Sequence, residues 1–222
     1  MIPMIRLFKR CAAVLLAGSI CLTAGCQIAG VAVDRASGGP TVKAKYVPIP
    51  TDSMLVFVES YGLALDSGIE AEHMTLSLSQ SLTDNKIAPV LNGQRLEQLK
   101  DVDPHVYHNM PIADIGRKLG AKQILYVNIS RSEIMKPAGS GQVRGHMEAT
   151  VKIVDSLTAE TRWPTDSSSE MVQITTNWIP DNANKTESDV RAQMADQMAE
   201  DISKLFHDYH PDQEPLPKVN VD

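Results

Sequence analysis

Residues 140–155, SGQVRGHMEATVKIVD, carry the pattern that decides the fold. Apolar or small side chains alternate with polar ones along almost the whole segment. One side holds Val143, Gly145, Met147, Ala149, Val151 and Ile153, and the other holds Arg144, His146, Glu148, Thr150 and Lys152. A period of two over this length predicts a long β-strand with one buried and one solvent-facing side, as is usual in antiparallel sheets.

The sequence on both sides of this strand predicts the remaining elements. Short continuous apolar runs predict strands that are covered on both faces, and apolar residues that recur every three or four positions predict helices. Further strands are predicted at residues 54–58, 87–91, 121–129 and 171–178, and helices at residues 67–82, 94–100, 111–119 and 186–207. The element order βαβααβββα predicts an α/β (α+β) fold, in which helices pack on a single mixed β-sheet of about five strands.

The last of these helices has the clearest start signal. Thr186 is a residue type that caps helices, and Glu187 and Asp189 favour the positive end of the helix dipole. The apolar stripe of this helix includes Met194 and Met198. We expect both methionines in the core, with an adaptable partner surface as the alternative, because methionine suits both environments.

The first 25 residues predict a secretory signal peptide. Residues 1–10 hold three basic side chains and no acidic one, residues 11–22 are mostly apolar, and small residues follow. The apolar run is shorter than the roughly 20 residues that span a bilayer. Residues 22–26, LTAGC, resemble the lipobox of bacterial lipoproteins, in which a diacylglyceryl group is attached to the cysteine and the chain is cut just before it. Cys26 is therefore predicted as the lipid attachment site, and an ordinary signal peptide with a chance cysteine is the alternative.

Cysteine content and charge agree with export. The three cysteines, Cys11, Cys21 and Cys26, lie in or at the end of the predicted signal, so the mature chain would contain no internal disulfide. Cleavage before Cys26 removes three basic residues and no acidic one, which changes the formal charge from −6 to −9. A strongly negative chain argues against nucleic acid as a partner.

The lipid would make the membrane the first partner of the chain. Two acyl chains and a modified amino terminus, with palmitate as a typical acyl group, give stable anchoring that one chain does not. Gln27 follows the cysteine where aspartate would signal inner-membrane retention in enteric bacteria. By that resemblance we expect the periplasmic face of the cell outer membrane.

Proline and glycine positions predict the domain organisation. Residues 1–25 are the signal peptide, and residues 26–50 are the lipidated cysteine followed by a flexible tether. Residues 51–208 form one α/β domain, and the polar, proline-punctuated residues 209–222 form a disordered tail.

Two segments resemble a known group of envelope proteins. Residues 112–125, IADIGRKLGAKQIL, are similar to the helix–Leu-Gly-Ala–strand passage of the curli-secretion lipoprotein family. Residues 154–161, VDSLTAET, are similar to its Val-Asp, Thr-Gly-Glu turn, with Ala159 in place of the glycine. The same passages occur in the amino-terminal domain of the Tol-system protein TolB and in the lipoprotein activators of penicillin-binding proteins. The resemblance implies the fold and an envelope setting for about residues 50–207, and no matched position is catalytic in that family.

Histidine pairs are the first candidates for a metal site. His105-x-x-His108 and His207-x-x-His210 have spacings that occur in metal sites. Zinc normally needs three or four protein ligands, and the sequence offers neither pair a further ligand. We therefore expect no metal.

Other polar combinations also lack the partners that catalysis needs. His146-x-Glu148 is not accompanied by the Pro-Cys-x-x-Cys segment of deaminases. The Gly-Ser-Gly sequence at residues 139–141 precedes a strand rather than opening a helix, so it predicts a hairpin loop and not a phosphate cradle. Asp101 and Asp103 lie beside a proline and predict a turn. We expect no catalytic residue and no cofactor, and we expect that the chain is not an enzyme.

Three functional hypotheses follow. The first is a non-catalytic binding or assembly module that docks a periplasmic or outer-membrane protein, or a copy of itself, through an exposed sheet edge or helix face. The second is a subunit of an oligomeric secretion channel, which would need long hairpins with a lipid-facing apolar side. The third is an envelope hydrolase or small-ligand-binding protein, in which Asp101, His105 and His108 would converge in a pocket.

Overall fold

The fold is organised around one long central strand. The computed structural model describes residues 40–60, 67–102, 104–166, 168–180 and 186–211. The strands are β1 (Met54–Glu59), β2 (Gln123–Met135), β3 (Gln142–Asp155), β4 (Thr161–Trp163), β5 (Glu170–Thr175) and β6 (Ile179–Pro180). The helices are α1 (Ser67–Asp84), α2 (Gln94–Val102), α3 (Pro104–Asn109), α4 (Ile112–Leu119) and α5 (Glu187–Ser203).

The strands form a single mixed sheet. β1 runs parallel to β2, with Met54 beside Gln123 and Glu59 beside Asn128. β2 and β3 form a long antiparallel hairpin, and the other edge of β3 pairs in turn with β4, β5 and β6. The predicted mixed sheet with helices packed on it is confirmed.

The alternation along β3 holds as predicted. The side chains predicted to face inward are buried, and the intervening ones from Arg144 to Lys152 are partly exposed. The buried face packs against α1 and α5, where Met74, Leu78 and Met198 are fully buried. Burying one such side chain stabilises the fold by about 1.5–3 kcal/mol. Because this layer contains most of the buried apolar side chains that the structure describes, it contributes most of the stabilisation from apolar burial.

Helices α2 to α4 cover part of the opposite face of the sheet. Leu55, Phe57 and Ile124 point to that side and meet Leu96 and Ile115 from the helices. β1 is thus buried on both faces, which explains its continuous apolar sequence.

The ends of two helices are formed as the sequence indicates. Thr186 and Asp189 make reciprocal side-chain to backbone hydrogen bonds, a capping box at the start of α5. Helix α4 is followed by Gly120 at a φ of 83°, the left-handed conformation that ends helices. Met194 and Met198 are both in the core, and Gly145 lets Met194 lie directly on β3.

Several boundaries differ from the sequence prediction. Residues 87–91 are not a strand: one bridge joins Val90 to Met54, and Pro89 cannot donate to a longer ladder. The segment around His105, which lies between the helices predicted at residues 94–100 and 111–119, is helix α3, because a proline is tolerated in the first turn. β2 continues to Met135, beyond a β-bulge between Ile129 and Arg131.

The strand predicted at residues 171–178 is shorter than expected. β5 ends at Thr175, and Ile174 is buried. Trp178, inside the predicted strand, lies beyond β5 and is 42% exposed. Its ring lies 4.6 Å from the Arg144 guanidinium carbon, a cation–π contact that partly shields it.

A network of charged side chains holds the turn that carries the family resemblance. The carboxylate of Asp155 accepts hydrogen bonds from the backbone N–H groups of Leu157 (2.7 Å) and Thr158 (3.1 Å). Arg162 donates to the same carboxylate at 2.6 Å and to Asp52 at 3.1 Å. The Thr158 N–H, followed by Arg162 and the Leu157 N–H, lowers the pKa of Asp155 below its usual value.

The described chain divides into two units. The larger is 44–207, and the described part of the smaller is residues 40–43 and 208–211. Within the smaller unit, Val42 and Tyr209 form a β-bridge and Lys43 pairs with Asp208 at 2.7 Å. Within the larger unit, the Tyr46 N–H donates to Leu205 at 3.1 Å, so residues 44–50, expected in the tether, include ordered contacts. The predicted domain boundaries otherwise stay predictions.

Candidate functional site

A groove of about 1460 Å³ lies at the carboxyl end of β1. One wall is the first half of α1, the other wall is α2, and the start of α4 closes one end. The lining includes Phe57, Val58, Glu59, Ser60, Ala71, Glu72, Thr75, Leu76, Asn92, Gly93, Gln94, Leu96, Glu97, Gln98, Lys100, Asp101, Tyr107, Met110, Pro111, Ile112, Ile115 and Tyr126. The sequence prediction missed this site because its residues come from several separate segments.

Aromatic rings form the floor of the groove. Phe57 on β1 makes edge contacts with Tyr107 at 6.3 Å and with Tyr126 at 5.7 Å between ring centroids. Leu96 and Ile115 fill the space below and are nearly fully buried. Such edge-to-face pairs are favourable, and Phe57 and Tyr107 are buried, so the floor is part of the packed core.

Acidic side chains dominate the rim. Four carboxylates line the groove, from Glu59, Glu72, Glu97 and Asp101, against the single ammonium of Lys100. The Tyr126 hydroxyl donates to Glu59 at 3.0 Å, and Lys100 donates to Glu97 at 2.9 Å. The described lining therefore carries three net negative charges at neutral pH.

An exposed leucine stands on the α1 wall. Leu76 is 64% exposed, and its neighbours on the helix, Thr75 and Ser77, are polar. A single exposed apolar side chain is normal on a protein surface, so Leu76 is informative only because it lines the groove. The groove thus combines an apolar contact with an acidic rim.

The edge of β1 does not offer a strand-pairing surface at this point. The Met54 N–H donates to the Pro89 carbonyl, and the Met54 carbonyl accepts from the Leu91 N–H, so both groups of Met54 face the edge of β1 away from β2. Backbone groups alternate between the two edges of a strand, so those of Val56 and Val58 face this same edge. Val56 is 2% exposed and Val58 is 5% exposed. A partner can therefore meet side chains in the groove but cannot extend the sheet along these residues without displacing other groups.

A second polar cluster lies on the uncovered face of the sheet. His146 lies 3.0 Å from Glu148 through Nε2 and 3.0 Å from Thr175 through Nδ1. Arg131 contacts both Glu148 and Glu133. The hydrogen bond from His146, followed by the charge of Arg131, lowers the pKa of Glu148. The predicted His146-x-Glu148 pair is thus part of a solvated ion-pair network.

The structure also brings a serine, a histidine and an aspartate together. Ser77 donates to Asp196 at 2.5 Å, and His73 lies 2.9 Å from the same carboxylate oxygen. In a catalytic triad the histidine lies between the serine and the acid, where it can take the serine proton. Here the aspartate is in the middle, so the cluster joins α1 to α5 and does not activate Ser77.

The predicted histidine pairs do not form metal sites in the part of the chain that the structure describes. No group of three or more histidine, cysteine, aspartate or glutamate residues there could hold an ion. His105 is exposed on α3, His207 lies 2.9 Å from the Ser203 carbonyl, and His210 lies 3.4 Å from Thr41. The side chain of His108 is outside the description.

Of the two carboxylates predicted at a turn, Asp101 and Asp103, the structure describes only Asp101. Asp101 is exposed at the end of α2 and lines the groove. Asp103 and the side chain of His108 lie outside the described residues, so the predicted turn and the convergence of Asp101, His105 and His108 remain hypotheses.

The predicted lipid attachment site, Cys26, lies outside the described residues, as does Gln27. Across the described ranges, no helix has the length and apolar content needed to cross a bilayer. Lipid attachment therefore remains a prediction from the sequence.

No family model and no curated protein sequence matches this chain. Among solved structures, the PelC dodecamer from Paraburkholderia phytofirmans is similar at 10% identity and a TM-score of 0.46, over 76% of this chain and 97% of that one. Lipoprotein GNA1162 from Neisseria meningitidis is similar at 15% identity and a TM-score of 0.45, over 68% of this chain and 98% of that one. Similarity at this level assigns no function, and the particular resemblance to the curli-secretion group stays a prediction.

Proposed function

We propose that this chain is a lipid-anchored, non-catalytic envelope protein that binds a partner protein in the groove at the end of β1. The observation that carries this proposal is the groove itself, with its aromatic floor and the exposed Leu76 on its wall. Aromatic and apolar anchors in a concave site are the side chains that supply most of the binding energy at protein interfaces.

The size and shape of the groove favour a protein segment over a small ligand. Small-molecule sites have volumes of about 300–1,000 Å³ and enclose most of the ligand. At about 1460 Å³, this groove is larger, and it lies open between two helices. A loop or helix of a partner fills such a space more completely than a metabolite does.

The chemistry of the lining supports a non-catalytic role. Its described titratable side chains are four carboxylates, one lysine and two tyrosines, without histidine or cysteine. A nucleophile and its general base must lie within hydrogen-bond distance of each other. The contacts of Glu59 and Lys100 instead connect the rim to the floor and to Glu97.

The location rests on the sequence. The lipobox resemblance at residues 22–26 would attach the chain to a membrane through Cys26, and Gln27 favours the periplasmic face of the outer membrane. A tether before the domain would let the groove reach a partner in the periplasm.

A channel subunit is the second candidate. The hairpin of β2 and β3 has strands of 13 and 14 residues, longer than the roughly 9–11 residues that a membrane-spanning strand needs. However, α5 packs on one side of this hairpin, and Arg131, Glu133 and His146 lie on the other. A lipid-facing surface would require the helix to move away.

Crosslinking in native membranes tests the proposal. Leu76→Asp alters the groove wall, and Leu157→Asp is the matched control because Leu157 is also exposed, at 74%, and lies in the turn after β3. We expect a crosslinked species with a second polypeptide from the wild type and from Leu157→Asp, and its loss from Leu76→Asp.

Each other outcome has a separate meaning. Retention of the species in both variants would contradict the groove as the contact site, and a closed homo-oligomer would favour the channel subunit. A Cys26→Ser variant should leave the membrane fraction, and its continued membrane association would contradict the lipid anchor.

A further inference from the structure

We infer that the groove takes a basic protein segment, one that presents an apolar side chain flanked by arginine or lysine. This inference rests on the proposed docking function and specifies the chemistry of the partner. Among the described residues that line the groove, four are acidic, Glu59, Glu72, Glu97 and Asp101, and one is basic, Lys100.

Charge complementarity is the first argument. A cleft lined by one sign of charge concentrates field lines and attracts the opposite charge. The whole chain has a formal charge of −6, which adds to the field of the groove. An acidic segment would meet like charges on both walls, since Glu72 is on α1 and Glu97 and Asp101 are on α2.

The tyrosine rings of the floor already face cations of the chain itself. The ammonium of Lys100 lies 5.7 Å from the centre of the Tyr107 ring, and that of Lys152 lies 5.0 Å from the centre of the Tyr126 ring. Basic side chains of the partner therefore pair with the carboxylates of the rim and not with these two rings.

The apolar part of the segment is fixed by Leu76 and the floor. Leu76 is exposed on the wall, and Phe57 and Leu96 are buried beneath the groove. An apolar side chain inserted between them would exclude water, which strengthens the surrounding ion pairs.

Binding of defined peptides tests this inference on the full, lipidated protein in non-ionic detergent. The probes are fluorescent synthetic peptides with a central leucine flanked by arginines, and counterparts with glutamates or serines in place of the arginines. Detergent alone is the blank. We expect the arginine peptide to bind about tenfold or more tightly than the glutamate peptide, and to weaken as salt is added.

Charge reversal in the groove supplies the specific readout. Glu72→Lys and Glu97→Lys should each weaken binding of the arginine peptide by about fivefold, the scale of an exposed ion pair. Glu160→Lys is the matched control, because Glu160 is exposed in the turn after β3, at the end of the sheet where Asp155 pairs with Gln123. The affinity of the Glu160→Lys variant for the arginine peptide should equal that of the wild type within about a factor of two.

The outcomes separate this inference from the proposed function. Equal binding of arginine and glutamate peptides, or unchanged binding by both groove variants, would overturn the basic partner. If the native crosslink still depended on Leu76, the docking function would stand with a different partner chemistry. If peptide binding followed the charges but no native crosslink depended on Leu76, the docking function would fail instead.

Discussion

Replacing Ala159 with glycine should stabilise this protein. Ala159 stands where the resembling family has glycine, and its φ is 62°, in the left-handed region. An L-residue with a Cβ pays about 1–2 kcal/mol of strain there, whereas glycine does not. The side chain of Ala159 is exposed, so its removal sacrifices no core packing, and the backbone hydrogen bond from its N–H to Asp155, at 3.0 Å, is available to glycine as well.

The expected gain is smaller than the strain because glycine also stabilises the unfolded chain. That effect opposes the gain by about 0.4–1 kcal/mol. The net increase in the free energy of unfolding is therefore about 0–1.6 kcal/mol, with a central value of about 0.8 kcal/mol. For a chain of this size the central value corresponds to a rise in Tm of about 2–3 °C.

Thermal and urea denaturation of Ala159→Gly measure this effect. Ala138→Gly is the control of opposite sign, because Ala138 is exposed in the β2–β3 loop and is not among the residues with positive φ. It should lose about 0.4–1 kcal/mol. If both variants lost stability to the same degree, the left-handed conformation of Ala159 and the strain argument would be refuted.

Two further substitutions test the packing and the electrostatics of the same end of the sheet. Gly116→Ala should cost about 1–2 kcal/mol, since its Cβ would lie 2.5 Å from Cδ1 of the fully buried Ile124. Ile124→Val removes that Cδ1 and should therefore cost less in the Gly116→Ala background than alone, and additive losses in urea denaturation would contradict the clash. Asp155→Asn should flatten the acid limb of the stability curve. The folded pKa of Asp155 is lowered, so its contribution is present above the unfolded value of about 4 and is lost as the pH falls through the folded pKa. Tm measured between about pH 2.5 and 6 checks this, and parallel curves for variant and wild type would show that Asp155 makes no such contribution.

The parts of the fold that the sequence predicted are those with local signals. The alternation along β3 gave its buried face, Thr186 gave the start of α5, and Gly120 gave the end of α4. In each case the feature depends on a few neighbouring residues, so contacts with distant parts of the chain do not change it.

The boundaries that differed depend on distant contacts or on bulges. Residues 87–91 look like a strand, but Pro89 and one bridge to Met54 leave them outside the sheet. The extension of β2 to Met135 has no simple alternation, because the bulge after Ile129 shifts the register with β3. A single-sequence pattern does not contain the partner strand that defines either case.

The candidate site was beyond prediction for a related reason. Its lining comes from β1, four helices (α1 to α4), the turns between them and Tyr126 on β2, and no segment alone carries a motif. The sequence did contain one indication, the apolar Leu76 between polar neighbours on α1, but its significance depends on the groove beside it. The His146-x-Glu148 pair, which did attract attention, lies in the separate ion-pair cluster on the open sheet face.

Site-specific photocrosslinking in the native membrane tests the groove as a docking site most directly. A photoreactive side chain replaces Gln98, which is exposed in the groove, or Gln173, which is exposed on β5 on the uncovered sheet face. We expect an adduct with a second polypeptide from position 98 and none from position 173. Equal adducts from both positions, or adducts from position 173 alone, would contradict docking in the groove.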